Sequence, residues 1–111
     1  MNVQFTARHF KPSDDIRAHA VACVEKLGRI EESILHAEVI LSEDQKPTRT
    51  VCEAELKVKV FDTVLITKAT DAKHIEAISA ASRKLETLLE KYKEKLQHER
   101  LRKSKQTSTR S

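Results

Sequence analysis

A single glycine, Gly28, is present in 111 residues, and it lies at the end of a helical pattern rather than at its start. A phosphate-cradling glycine loop of the P-loop or dinucleotide type is therefore excluded. Tryptophan is absent, and Phe5, Phe10, Phe61 and Tyr92 are the whole aromatic stock. Phe5 and Tyr92 fall on apolar stripes that read as core, so an aromatic platform for stacking unpaired bases is a poor fit. No apolar run approaches the roughly 20 residues that span a bilayer. Residues 1–10 also lack the basic start and apolar centre of a signal peptide, and the expectation is a cytoplasmic protein. The two cysteines, Cys23 and Cys52, read as small buried hydrophobes in a reducing compartment. Neither has a second ligand at a C-x-x-C or H-x-x-x-H spacing, which makes a disulfide or a metal pair the less favoured reading.

Catalytic arrangements are lacking too. His9, His19, His36, His74 and His98 are scattered over different elements, none beside a Ser or Cys in a nucleophile motif. Each reads as a surface or boundary residue. The carboxylates fall on strand exteriors and helix flanks, where nothing would raise a pKa for general acid work. No enzyme, cofactor, metal site or small-molecule substrate is expected.

What the chain does have is charge, sorted along its length. The overall net charge is +4, but residues 1–69 carry a net −1 and residues 70–111 a net +5. The segment from Thr70 to Lys105 explains the difference. On a helix, Ile75, Ile78, Ser82, Leu85, Leu89, Tyr92 and Leu96 form one apolar stripe with alternating three- and four-residue steps. Lys73, Lys84, Lys91, Lys95, His98 and Arg102 form a second line about 120° away. Glu76, Glu86, Glu90 and Glu94 lie beyond that line, turned from the apolar face. Ordinary solvated helices mix Glu and Lys at i,i+4, whereas sorted cations suit a polyanion such as nucleic acid. A merely solvated face is the competing meaning. A membrane surface fits less well, because the apolar stripe is needed elsewhere.

The remaining pattern supplies the need. Val3, Phe5 and Ala7 alternate as a strand. Ser13 is a good N-cap, with Asp14 and Asp15 in the first turn, for a helix whose stripe is Ile16, Ala20, Cys23, Val24 and Leu27, ending at Gly28. His19, Lys26 and Arg29 share one flank of it and Arg17 lies on the other. Leu35–Leu41 reads as a second strand followed by a loop over Ser42–Pro47. Thr50–Val60 alternates most clearly. Phe61-Asp62 permits a reversal into a fourth strand over Thr63–Ala69, and Thr70 or Asp71 caps the long helix. The fold class is α+β in the order β-α-β-β-β-α, a four-stranded sheet with both helices on one face. The ordered domain is expected over residues 1–98 and a basic, disordered tail over 99–111. On this reading the outward flanks of the two helices merge into one cationic surface, with Lys26 and Arg29 extending the field of the long helix.

The element order, Ser13-x-x-Ile16-Arg17-x-His19, Lys26-Leu27, and Ala77-Ile78 followed by Lys84-Leu85-Glu86-x-x-Leu89-x-Lys91-x-x-x-Lys95 closely resemble the ribosome hibernation factors. That family comprises the hibernation promoting factor and the ribosome-associated inhibitor, or protein Y, once described as sigma-54 modulation proteins. The resemblance spans about residues 1–98 and implies a fold similar to double-stranded RNA-binding domains. It further implies a protein, monomeric when free, that binds the small ribosomal subunit and its ribosomal RNA in the decoding region. There it would block messenger and transfer RNA sites and repress translation under stress or starvation. Its RNA contacts would be Arg17, Lys26 and Arg29 on the first helix and Lys84, Lys91 and Lys95 on the second; the basic line adds Lys73 and Arg102. Several positions depart from the family pattern. Lys73-His74-Ile75 stands where Asp-Met-Tyr is frequent, Thr87 stands where Arg is frequent, and the last hairpin has no glycine. The length implies a short member, and the basic tail matches neither short type. A generic binder of RNA duplexes and a protein-interaction module, including a transcription modulator, remain the rival readings.

Overall fold

The structure is a computed structural model that describes the backbone of residues 1–110 and the side chains of residues 1–97. The side chains of His98 and Arg102, and the tail expected over 99–111, lie outside those described. Alternating apolar residues produce four strands, β1 (Asn2–Arg8), β2 (His36–Gln45), β3 (Thr50–Lys59) and β4 (Val64–Asp71), with helices α1 (Asp14–Ile30) and α2 (His74–Arg110). The sheet order is β1-β2-β3-β4, so β1 and β4 are its edges. Parallel pairing of β1 with β2 requires a crossover, which α1 supplies. The other two pairings are antiparallel hairpins.

Register stacks the apolar residues into rows on one face. Val3, Ala37, Val58 and Leu65 form the first, Phe5, Val39, Leu56 and Thr67 the second, and Ala7, Leu41, Ala54 and Ala69 the third. Both helices cover this face: Ala20, Val24 and Leu27 of α1 and Ala77, Ile78, Ala81, Leu85 and Leu89 of α2 form one buried cluster with the β2 and β3 members of these rows and Ala69, while Phe5 and Leu65 pack partly buried against it. Small residues at Ala77, Ala81 and Ser82 let α2 approach closely. The Thr67 hydroxyl donates to the Ala81 carbonyl at 2.8 Å across that contact.

Local chemistry accounts for the element ends. Ser13 Oγ accepts from the Ile16 N–H at 3.3 Å, with Asp14 and Asp15 in the first turn, as the sequence indicated. Phe61-Asp62 forms the expected reversal, closed by the Val60 N–H on the Thr63 carbonyl at 3.0 Å.

Other details differ from expectation. Gly28 does not stop α1, which runs to Ile30 and is closed by Glu31, whose N–H donates to the Leu27 carbonyl. Polar Ser42–Gln45 is strand rather than loop, because Glu43, Asp44 and Gln45 pair with Cys52, Val51 and Thr50. The turn is then confined to Lys46–Arg49, with Pro47 presetting its first bend. Thr70 and Asp71 end β4 rather than cap α2, although the Asp71 carboxylate accepts from the Lys73 N–H at 3.2 Å. The α2 stripe is also shifted: Ile75 is exposed and His74 is buried in its place. His74 is thus a buried residue rather than the expected surface or boundary one, because Phe10 stacks on the imidazole at 4.1 Å between ring centroids.

Leu85 is fully buried where α2 meets the sheet. Leu85→Ala is expected to lower unfolding free energy by about 2–5 kcal/mol, against less than about 0.5 kcal/mol for exposed Lys91→Ala. Urea denaturation measures both, and equal losses would contradict this packing.

Candidate nucleic-acid interface

The rotation of α2 decides which cations share a surface. Ser79, Glu86 and Lys93, seven residues apart, all face α1. Ser79 Oγ lies 2.7 Å from His19 Nε2, Glu86 pairs with Lys26 at 3.1 Å, and Lys93 Nζ donates to the Ile30 carbonyl at 2.9 Å. At 100° per residue, the line through Lys84 lies about 160° from that through Glu86. It runs instead beside the β4 edge, where Lys84 Nζ donates to the Lys68 carbonyl at 2.9 Å. Lys91 and Lys95 continue it along a recess shared with Asp62, Thr63 and Leu65. Tyr92 fastens the β3–β4 turn beneath them, its hydroxyl donating to Asp62 at 2.8 Å.

Lys73, Lys84, Lys91 and Lys95 are all exposed. Among the described residues none of the four forms an ion pair with a carboxylate within 4.0 Å. Lys68, exposed in β4, adds a cation at the same edge that the helix pattern could not reveal. The first-helix cations are placed differently. Arg17 stacks over the Phe5 ring, 4.8 Å from its centroid. Lys26 is engaged by Glu86 in the interhelical seam, and Arg29 is exposed in the last turn of α1. Exposed Glu76, Arg83, Thr87, Glu90 and Glu94 occupy the outward ridge of α2 between the two sets. The single merged cationic surface is therefore not formed. There are two basic tracts, the denser one at the α2–β4 edge.

A second constellation was missed in the sequence. Glu43, Cys52 and Asp71 occupy one cross-strand row, the next after the third apolar row. His74, at the start of α2, places Nε2 3.0 Å from Glu43 Oε1. Ligand atoms of Glu43, Cys52 and His74 all lie within 4.8 Å of one another. Burial pushes the Cys52 thiol above its ordinary value, and the Glu43 and Asp71 carboxylates add to the shift. Both cysteines are free thiols.

The family model described as "Sigma 54 modulation protein / S30EA ribosomal protein" matches residues 3–97. The chain belongs to that family. Among solved structures, the Thermus thermophilus Protein Y N-terminal domain is 27% identical, with a TM-score of 0.72, covering 83% of this chain and 99% of its own. A ribosomal subunit interface protein from Coxiella burnetii shares the fold at 19% identity and a TM-score of 0.75, covering 84% of this chain and 98% of its own. No curated protein matches this chain.

The raised Cys52 thiol has a stability consequence with a definite sign. The folded state keeps its proton above the pH at which the unfolded chain begins to lose it, so the neutral thiol's contribution is present below its ordinary value of 9.0 and is lost as pH rises above it. Thermal unfolding from neutral to alkaline pH is expected to show a smaller alkaline loss in Cys52→Ala than in the native chain. An identical loss in both would contradict this assignment.

Proposed function

We propose that this chain binds the small ribosomal subunit in its decoding region, blocks the messenger and transfer RNA sites, and so represses translation under stress or starvation. It acts in the cytoplasm, without catalysis, by occupying space. The observation that carries the reading is the line of Lys73, Lys84, Lys91 and Lys95 along the β4 edge, free of carboxylate partners among the described residues. Family membership supports a ribosomal partner, and the subunit-interface description of the Coxiella burnetii protein points the same way. Lys26 and Arg29 provide a second tract for phosphates, Arg17 adds a cation on the opposite flank of α1 beside β1, and Arg102 continues the α2 line in sequence.

Phosphate neutralisation sets the expected energetics. If about six of these side chains contact phosphates, log K should fall with log salt at a slope of about −4 to −5. The exposed Lys84, Lys91 and Lys95 contribute little to folding. Their joint change to Ala should therefore leave the unfolding midpoint nearly unmoved while sharply weakening co-sedimentation with small subunits. Undiminished co-sedimentation would overturn the assignment of this surface. Equal affinity for a free RNA duplex would favour the generic RNA-binding alternative.

A further inference from the structure

The row that closes the apolar face of the sheet is polar, and its chemistry is not that of an ordinary surface. Glu43 and Cys52 are direct partners across β2 and β3, and His74 reaches them from the first turn of α2. Cys52 is 2% exposed and His74 8%, whereas the Glu43 side chain is 25% exposed and leaves a path to solvent. We propose that Glu43, Cys52 and His74 bind one divalent transition-metal ion of the zinc type through carboxylate, thiolate and imidazole.

The donor set is the first support. Sulfur, nitrogen and oxygen ligands together suit zinc and cobalt rather than calcium or magnesium. One thiolate and one carboxylate would neutralise a divalent charge, and three protein ligands leave a fourth position for water. The placement of the imidazole is the second support. His74 Nδ1 is buried with no hydrogen-bond partner among the described residues. The ring is held by the Phe10 stack and its contact to Glu43, so Nε2 already faces the carboxylate and is the nitrogen that would bind the ion, with Nδ1 carrying the ring proton.

Phe10 itself is presented by His9, among the described residues the one non-glycine in the left-handed region, at φ 68°. The thiol now donates to the Ala72 carbonyl at 3.5 Å. On binding, the S–H bond breaks, the proton leaves to solvent, and a sulfur–metal bond forms with no change in oxidation state. The Nε2–Oε1 separation of 3.0 Å and the 4.8 Å limit for the set require only a small convergence of ligands around bonds of about 2.0–2.3 Å. The ion would tie β2, β3 and the start of α2 together.

The test does not depend on ribosome binding. Full-length protein, reduced and metal-stripped, is titrated with zinc against a chromogenic chelator, and separately with cobalt while its absorption spectrum is followed. The expected result is uptake of one equivalent, a thiolate-to-cobalt charge-transfer band, and a rise in melting temperature with zinc. Cys52→Ala should abolish the band. Glu43→Gln, which keeps a hydrogen-bond acceptor for His74 and leaves the thiol in place, should weaken zinc binding by about tenfold or more. Cys23→Ala should leave band and affinity unchanged, which separates this site from the neighbouring His19 and Cys23. The proposal is overturned if the native chain takes up no stoichiometric zinc, if Glu43→Gln binds as tightly as the native chain, or if the band survives Cys52→Ala or disappears in Cys23→Ala.

Discussion

The rotation of α2 about its own axis is the constraint from which the surface chemistry follows. Ile78, Ala81, Leu85 and Leu89 are fully buried against the sheet. The Thr67–Ala81 hydrogen bond fixes the depth of the contact, and the Ser79, Glu86 and Lys93 line fixes which flank meets α1. With one flank committed to the sheet and another to the first helix, the lysine line can only lie along the β4 edge. Rotating the helix by one residue, 100°, would bury lysine or expose leucine. The cost of either is far larger than anything the exposed charges contribute among themselves.

The edge position also settles how the two basic tracts differ. Lys84 answers a backbone carbonyl of an edge strand, a group that otherwise faces water, and remains exposed while doing so. Such a contact orients the side chain without cancelling its charge. Lys26 instead meets a carboxylate, so its field is locally compensated. The α2 edge is the denser and less compensated cationic tract, and the α1 cations lie beyond a ridge that carries Glu76, Glu90 and Glu94.

Much of this was legible in the residues. Period-two alternation located the strands, Ser13 with its acids located α1, and the three- and four-residue steps located α2. The failures share one physical cause, which is that they depend on contacts distant in sequence. Ser42–Gln45 looks like loop until β3 is laid beside it. Ile75 fits the apolar period as well as His74 does, and only the stack with Phe10 and the hydrogen bond with Glu43 decide between them. Glu43, Cys52 and His74 have no motif spacing, since strand register and a helix start bring them together. The merging of the two cationic flanks failed because periodicity gives angles around one helix and not the side on which its neighbour packs.

Lysine reactivity in the presence and absence of small ribosomal subunits is the most direct measurement of the central claim. With a small acylating reagent and mass spectrometry, Lys73, Lys84, Lys91 and Lys95 are expected to become protected together on binding. Lys59, exposed on the sheet face away from the helices, is expected to stay reactive. Protection confined to Lys59 and its neighbours, with the α2 lysines unchanged, would contradict the claim that the packing of α2 creates the binding surface.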